Sequence, residues 1–241
     1  MNPNPSLPHP GCLDEASGRD ALLIGSARDL QAYDVATNAD LFRRDVPDGV
    51  GALLVGSLGG HPPLALIGGN LSITGLNSAG REFFWTVSNE FVSALALCDA
   101  DGDGESELLA GSHSHDIHVF KGEALVGEFK EADRISALCA VTKGAFGYAL
   151  ANGTVGVYVD GSRAWRIKSK SSAHAICAAD LDGDGVPELL SGWGNGKVGK
   201  GRSRGWNLVT QSSVGGSDDS STHSAPPRTC SWRCGTTRRA R

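Results

Sequence analysis

The chain has 241 residues, a formal net charge of −5 and 33 glycines, which is about twice the usual glycine share. This length fits one domain, and no apolar run reaches the roughly 18 to 20 residues of a membrane-spanning helix, so a transmembrane protein is not expected. The N-terminal sequence MNPNPSLPHPGC has no apolar segment after a basic start, so we expect no secretory signal and a cytoplasmic location.

Charge is distributed unevenly along the chain. Residues 1–199 carry 14 basic and 25 acidic side chains, whereas residues 200–241 carry eight basic and two acidic ones. An acidic surface repels phosphate backbones, so the sequence predicts no nucleic-acid partner for the main body.

A repeat organises the main body of the chain. Five short apolar segments each end at a small residue, and these last residues are 43, 43, 40 and 41 positions apart. The segments are ALLIG (21–25), LALIG (64–68), ELLAG (107–111), GYALA (147–151) and ELLSG (188–192). A polar turn and a second β-rich segment follow each one, which indicates a hairpin. Asn-Gly dipeptides at 152–153 and 195–196 favour type I′ turns in two of these hairpins.

Further candidate strands lie at the outer edge of the repeat units. They are FFWTV (83–87), ALVGEF (124–129) and RAWRI (163–167). Four short strands in about 40 residues, repeated, are typical of a β-propeller, because each blade buries its faces against its neighbours. The sequence therefore predicts an all-β chain with about five four-stranded blades, the first and last incomplete, within residues 20–198. A β-sandwich with coincidental spacing is the alternative.

Two terminal segments fall outside the repeat. Residues 1–19 are predicted to be disordered or irregular. Residues 199–241 are predicted to be a disordered basic tail, because 20 of the 42 residues from Lys200 onward are Gly, Ser, Thr or Pro.

The cysteines do not suggest a disulfide framework. Cys98, Cys139 and Cys177 lie in apolar segments 41 and 38 residues apart, so we expect free, buried thiols at equivalent positions of the repeat. Cys230 and Cys234 form a single C-x3-C pair, which is at most half of a zinc site.

Two acidic stretches, DADGDGESELL (99–109) and DLDGDGVPELL (180–190), share the pattern D-x-D-x-D-G-x-x-E. Carboxylates at positions 1, 3, 5 and 9 of a tight loop direct oxygen ligands at a hard cation such as Ca²⁺. The predicted ligands are Asp99, Asp101, Asp103 and Glu107 in the first loop and Asp180, Asp182, Asp184 and Glu188 in the second. The glutamate at position 12 and the flanking helices of an EF-hand are missing, so the pattern resembles the FG-GAP loops of integrin-type propellers. The alternative is an Asp-rich turn whose carboxylates only accept backbone N–H groups.

A histidine group and a basic segment are weaker candidates. The H-x-H spacing of His113 and His115, with His118 and Asp116 nearby, is suited to a transition metal, and surface histidines without a metal are the alternative. The segment RAWRIKSK (163–170) suits acidic lipids or partners, and a solvated strand face with its tryptophan packed inward explains it equally well.

Enzyme signatures are missing from the sequence. It contains no phosphate-binding glycine loop or H-E-x-x-H motif, so we expect no catalysis and no required cofactor. The sequence suggests a structural Ca²⁺ in the acidic loops. A binding platform is expected; a propeller enzyme would need a polar cluster near a central channel.

Several segments together resemble one known family. SALALCDADGDGESELLAGS, FGYALANGTVGVY, WRIKSK and ELLSGWGNGKV resemble the amino-terminal β-propeller of the Bardet-Biedl syndrome 2 family of BBSome subunits, over about residues 20–198. The resemblance implies a scaffold in a coat-like complex that carries membrane proteins into and out of cilia. It implies other BBSome subunits as partners, notably one related to Bardet-Biedl syndrome 7 protein. Indirect partners would be an Arf-like GTPase and the intraflagellar transport machinery.

The resemblance also bears on location and completeness. It implies peripheral membrane association through the complex, at the cilium, ciliary membrane and basal body. Family propellers have seven blades followed by further domains, so a fragment is expected, with residues 199–241 arising from a frame change, a retained intron or a truncated gene model. A genuine basic tail that binds an acidic partner is the rival interpretation. An integrin-like, calcium-dependent recognition module is the alternative function.

Overall fold

The structure is a computed structural model that describes residues 9–14, 19–202 and 205–207. Its described residues form 20 strands, and no helix among them is long and apolar enough to cross a membrane. Sheet 1 contains β1 (His9–Asp14), β2 (Arg19–Gly25), β3 (Asp29–Asp34) and β4 (Ala39–Asp45). Sheet 2 contains β5 (Ala52–Gly56), β6 (Leu64–Gly68), β7 (Ser72–Leu76) and β8 (Glu82–Val87). Sheet 3 contains β9 (Val92–Cys98), β10 (Glu107–Ser112), β11 (Asp116–Lys121) and β12 (Ala124–Lys130).

The last two sheets have the same make-up. Sheet 4 contains β13 (Ile135–Thr142), β14 (Ala145–Leu150), β15 (Thr154–Val159) and β16 (Ser162–Lys168). Sheet 5 contains β17 (Ala173–Ala179), β18 (Glu188–Trp193), β19 (Val198–Arg202) and β20 (Gly205–Asn207). In every sheet the strands are antiparallel and follow one another in chain order. Each sheet is therefore one blade, and the predicted β-propeller architecture is confirmed.

The core lies between the faces of consecutive sheets. The five predicted apolar segments fall on the second strand of each sheet, and in sheets 2, 3 and 4 side chains on both faces of that strand are buried. A strand covered on both faces reads as a continuous apolar run, which is why these strands were visible in the sequence. Each core cluster contains residues of two neighbouring sheets, for example Leu23 and Leu53, Leu66 and Leu108, Leu109 and Tyr148, and Val157 and Leu189.

The expectation of incomplete first and last blades is wrong, because sheets 1 and 5 each have four strands. Strand β1 lies within the segment 1–19 that was predicted to be irregular. Strands β19 and β20 continue past the predicted boundary at Val198, and the inward-facing positions of β19 are Gly199 and Gly201. Glycines at buried positions leave no apolar pattern, so these strands were missed. Residues 1–8 and 208–241 lie outside the described residues.

The hairpin turns differ from the predicted type I′ geometry, which needs a positive φ at both central residues. Only the glycines are left-handed, with φ of 81° at Gly153 and 76° at Gly196, whereas the asparagines before them are not. The amide of Gly153 donates to the carbonyl of Leu150 at 3.1 Å, so the glycine is the last residue of its four-residue turn. A type I turn followed by a left-handed glycine fits these contacts.

The three cysteines of the repeat are free thiols, as predicted, but they are not equally buried. Cys98 is buried, Cys139 is half-buried and Cys177 is exposed. Burial raises the pKa of the Cys98 thiol to about 11 and that of Cys139 to about 12. These two thiols therefore stay protonated near neutral pH and are poor nucleophiles.

Candidate functional site: two acidic loops

The two acidic stretches form the connections between the first and second strands of sheets 3 and 5. Both loops turn sharply at paired glycines, with φ between 75° and 99° at Gly102, Gly104, Gly183 and Gly185. Only glycine takes this conformation without steric cost, so the glycines of the D-x-D-G-D-G sequence fix the shape of both loops. We call residues 99–107 loop A and residues 180–188 loop B.

Backbone N–H groups hold the first and last carboxylates of each loop. In loop A, Asp99 Oδ2 accepts from the Gly104 amide at 3.0 Å, and Glu107 Oε2 accepts from the Ala100 amide at 2.8 Å. These contacts are the ones expected of an Asp-rich turn, so part of that alternative interpretation is correct.

Loop B repeats the same pattern. Asp180 Oδ2 accepts from the Gly185 amide at 2.8 Å, and Glu188 Oε2 accepts from the Leu181 amide at 3.0 Å. The hydrogen bond from Gly185 lowers the pKa of Asp180, because it stabilises the ionised carboxylate.

Three of the four predicted ligands converge in each loop. Oxygen atoms of Asp99, Asp101 and Glu107 lie within 4.8 Å of one another, as do those of Asp180, Asp182 and Glu188. The remaining predicted ligands, Asp103 and Asp184, are not in these groups.

Loop A holds a cationic side chain that the sequence analysis missed. Lys121, at the end of β11, contacts Asp103 and lies 2.7 Å from Asp101 Oδ2 and 3.6 Å from Glu107 Oε1. The hydrogen bond with Asp101 is the main reason that the pKa of Lys121 is raised, and the hydrogen bond from Lys121 lowers the pKa of Asp103. An ammonium group therefore lies among the carboxylates.

Loop B has a guanidinium group in the corresponding place. Arg202, at the end of β19, contacts Asp182, lies 3.0 Å from Asp184 Oδ2, and donates to Glu188 Oε1 from Nε at 3.1 Å. Its pKa is raised chiefly by the hydrogen bond with Glu188. The pKa of Glu188 is lowered, first by the Leu181 amide and then by Arg202.

Strand register explains why Lys121 and Arg202 lie beside the carboxylates of loops A and B. Leu108 is paired with Phe120 and Leu189 with Gly201, so the next pairs outward are Glu107 with Lys121 and Glu188 with Arg202. Directly opposed residues of opposite charge attract across a strand pair. The sequence signal was a basic residue 14 positions after the last carboxylate in both loops.

The two loops differ in how completely their carboxylates are satisfied. In loop A, the buried atoms Asp99 Oδ1 and Glu107 Oε1 accept no hydrogen bond from the described residues, although the Glu107 side chain is only 1% exposed. No carboxylate oxygen of loop B is left in this state within the described chain. A guanidinium presents several donors in a planar fork, whereas an ammonium is a compact charge, so Arg202 satisfies its site better than Lys121.

A cavity of about 350 Å³ lies between sheets 3 and 4 beside loop A. Its walls include the apolar side chains of Val119, Phe129 and Phe146, and its polar side is formed by Glu107 and Lys121. The Lys121 side chain therefore has adjacent space into which it can move.

The histidines do not converge as a group. The ring of His113 lies 4.6 Å from that of Phe91, and partial burial lowers its pKa. His115 occupies the turn with a positive φ of 75°. Only His118 joins a set of possible ligands, together with Asp116 and Glu128.

The basic segment 163–170 includes strand β16, on which Arg166 and Lys168 are exposed to solvent while Arg163 and Trp165 contact the rest of the fold. Arg163 donates to Glu131 Oε1 at 2.8 Å, and Trp165 packs partly buried and donates from Nε1 to the Arg202 carbonyl at 2.6 Å. These contacts favour the structural interpretation of the segment.

Solved structures with the same architecture support the assignment of the chain to the β-propeller proteins. A crystal structure described as BBS1N in complex with ARL6DN matches with a TM-score of 0.71 and 13% identity, covering 84% of this chain and 67% of that one. The Saccharomyces cerevisiae protein Sqt1 matches with a TM-score of 0.66 and 12% identity, covering 82% and 58%. At such identities the likeness shows the fold alone, and the chain is a β-propeller protein.

Sequence comparison then gives the family. Residues 1–56 match the family model for Ciliary BBSome complex subunit 2, N-terminal, and residues 94–200 match the model for its middle region. BBSome complex member BBS2 of Homo sapiens is 53% identical over 189 residues, and BBSome complex member bbs-2 of Caenorhabditis elegans is 40% identical over 181 residues. The chain belongs to the Ciliary BBSome complex subunit 2 family.

The matched region is only part of those relatives. The alignment covers 78% of this chain and 26% of the human protein, and 75% and 25% for the nematode one. The chain spans about a quarter of the length of the curated relatives it matches.

Proposed function

We propose that the chain is the propeller region of a non-catalytic scaffold subunit of the BBSome, which acts in ciliary membrane-protein trafficking and cilium assembly through protein contacts. The observation that carries this proposal is the 53% identity to the human BBSome complex member BBS2. Its partners are other BBSome subunits, notably one related to Bardet-Biedl syndrome 7 protein. An Arf-like GTPase and intraflagellar transport act with the complex, and nucleic acid is not a partner.

The side-chain chemistry of the described residues supports a non-catalytic role. The carboxylates of loops A and B contact backbone amides, Lys121 or Arg202. Burial keeps the thiols of Cys98 and Cys139 protonated, which makes both of them poor nucleophiles. Location at the cilium, ciliary membrane and basal body follows from the complex, with membrane association peripheral.

One outer strand offers a surface for protein contacts. Alternate residues of β8 expose Phe83, Trp85 and Val87 by 54%, 49% and 55%. Three adjacent apolar side chains on one strand face form a patch of the kind that marks protein interaction sites. We assign this patch to contact with another BBSome subunit.

Affinity purification tests the proposed membership. The full-length protein that contains this chain, tagged and expressed in ciliated cells, is expected to recover other BBSome subunits identified by mass spectrometry. Recovery of none of them by the full-length protein would contradict the proposed function.

Substitution of the patch tests the surface separately. The double variant Phe83→Ser, Trp85→Ser is expected to lose at least one subunit from the same purification. Leu41→Ser on β4 is the control, since Leu41 is an isolated apolar residue with 47% exposure on another outer strand. Equal recovery with the double variant would reject the patch and leave membership of the complex intact.

We also propose that loop A takes a structural Ca²⁺ while loop B does not. Asp99, Asp101 and Glu107 would hold the ion, because their oxygen atoms converge and the two unsatisfied buried oxygens belong to this set. The ion would stabilise the connection between β9 and β10 and would displace Lys121 toward the adjacent cavity. It would supply no chemistry.

Loop B fits a metal less well. Arg202 already donates to Glu188 and contacts Asp182 and Asp184, so its guanidinium is the counter-cation of this loop. A Ca²⁺ ion that displaced the guanidinium would break several charge-assisted hydrogen bonds at once, and these are stronger than hydrogen bonds between neutral groups.

A further inference from the structure

A second group of possible metal ligands lies on sheet 3, away from both acidic loops. We propose that Asp116, His118 and Glu128 form a site for a divalent transition-metal ion of the Zn²⁺ type. One imidazole nitrogen and one oxygen from each carboxylate lie within 4.8 Å of one another.

Strand register brings these three side chains to one face of the sheet. Asp116 and His118 are two residues apart on β11, so they point to the same side. His118 is paired directly with Glu128 on β12, and Asp116 is paired with Lys130. The intervening residue Ile117 packs on the opposite face, in the core between sheets 3 and 4. The proposed site is therefore separated by the sheet from loop A and its cavity.

The state of His118 is the second observation that points to a ligand. Its side chain is only 5% exposed, and no hydrogen bond among the described residues involves its imidazole. Neither ring nitrogen is among the fully buried atoms that lack a hydrogen bond, so the nitrogens face accessible space from which an ion can reach them. The edge contact with Phe120, with ring centroids 6.1 Å apart at 90°, fixes the ring without satisfying its nitrogens.

The separations between the groups suit an ion better than a direct contact. The imidazole forms no ion pair with either carboxylate within 4.0 Å in the described structure, although the ligand atoms lie within 4.8 Å. Tetrahedral zinc bound at about 2.0 to 2.2 Å separates its ligands by roughly 3.5 Å. Side-chain rotations that close the group by about 1 Å would therefore complete the coordination.

Neighbouring side chains orient the two carboxylates. Ser114 Oγ donates to Asp116 Oδ2 at 3.2 Å, which leaves Oδ1 for an ion. Lys130 Nζ lies 3.3 Å from Glu128 Oε1, and because both side chains are exposed this pair is weak and readily rearranged. Hydrogen bonds of this outer kind orient metal ligands and raise metal affinity.

The ligand types select the class of metal. An imidazole with two carboxylates suits Zn²⁺ or a related ion, whereas Ca²⁺ prefers oxygen ligands alone. Glu128 is exposed, so solvent can supply the fourth ligand of a tetrahedral site.

Titration with Co²⁺, followed by displacement with Zn²⁺, tests the site. The 241-residue chain is used with Cys230→Ser and Cys234→Ser, so that the thiols of that pair do not contribute. We expect the visible absorption band of tetrahedral Co²⁺ at one ion per chain. His118→Ala and Glu128→Gln should each weaken Zn²⁺ binding by roughly 10-fold or more, since even outer partners of metal ligands have effects of 10- to 100-fold.

Matched variants keep the result interpretable. His113→Ala removes a neighbouring histidine that is outside the group and should leave binding unchanged. Glu128→Gln changes an exposed side chain, so this variant is expected to fold even if His118→Ala does not. Circular dichroism of both variants verifies their folding. Absence of the Co²⁺ band, or equal Zn²⁺ affinity in the parent and the Glu128→Gln chain, would overturn the proposal.

Discussion

Sheets 3 and 5 carry the same acidic loop but have different surroundings. Sheet 3 packs against sheet 2 on one face and sheet 4 on the other, so Leu109 at the centre of β10 is fully buried. Sheet 5 packs against sheet 4, and the corresponding residue of β18, Leu190, is only half-buried. The loop sequence therefore determines the backbone of the turn, whereas the burial of the strand that follows it differs between the two sheets.

The counter-cation is the second difference between the sheets. Lys121 and Arg202 are register-equivalent, yet the buried Glu107 Oε1 of loop A stays without a hydrogen bond and Glu188 Oε1 of loop B accepts one from Arg202 Nε. A repeated motif can thus be a cation site in one blade and an internal salt bridge in another. The residue that decides between them lies on the third strand, outside the motif.

Truncation of the matched leucines should give the largest effect. Leu109→Ala is expected to lower the free energy of unfolding by about 2 to 5 kcal/mol, the usual cost of a cavity at a fully buried leucine. Leu190→Ala should cost clearly less, because its side chain already contacts solvent. Urea unfolding followed by tryptophan fluorescence measures both values. Equal losses would show that sheet 5 is as tightly packed as sheet 3.

Alanine at the matched glycines should give a smaller effect, which is destabilising in sheet 3 and neutral or stabilising in sheet 5. A Cβ at Gly111 would lie 2.4 Å from Ile135 Cγ2, so Gly111→Ala should cost about 1 to 3 kcal/mol through overpacking. A Cβ at Gly192 would meet only the Ala175 carbonyl oxygen at 3.9 Å. Gly192→Ala should therefore be neutral or stabilising by up to about 1 kcal/mol, since glycine weakens a strand. The same urea experiment measures both, and a destabilised Gly192→Ala chain would contradict this packing difference.

Much of the fold could be predicted because buried strands leave a repeating apolar signal. The second strand of every sheet and the outer strands β8, β12 and β16 were located from that signal. Strands β1 and β19 were missed because prolines and glycines occupy them, and pairing through the backbone needs no apolar side chain. The predicted type I′ turns were wrong because an Asn-Gly pair tolerates more than one turn geometry. The twist of the flanking strands selects among these geometries.

The candidate site was predicted less completely than the fold. The loop pattern predicted eight carboxylate ligands, of which six converge in the structure, but only the strand register shows that Lys121 and Arg202 face them. Pairing between strands is a tertiary property, so the motif alone could not reveal its own counter-cation. The same holds for His118, whose cross-strand partner Glu128 lies ten residues away and carries no motif.

Calcium-dependent thermal unfolding of matched loop variants tests the central claim that the two loops are chemically unlike. Ca²⁺ is expected to raise the unfolding midpoint of the parent chain relative to chelator. Glu107→Gln should abolish that increase, whereas Glu188→Gln should retain it, because the unsatisfied oxygens lie in loop A. Lys121→Gln should enlarge the increase by removing the competing ammonium. No effect of Ca²⁺ on the parent chain, or equal loss in Glu107→Gln and Glu188→Gln, would contradict the account.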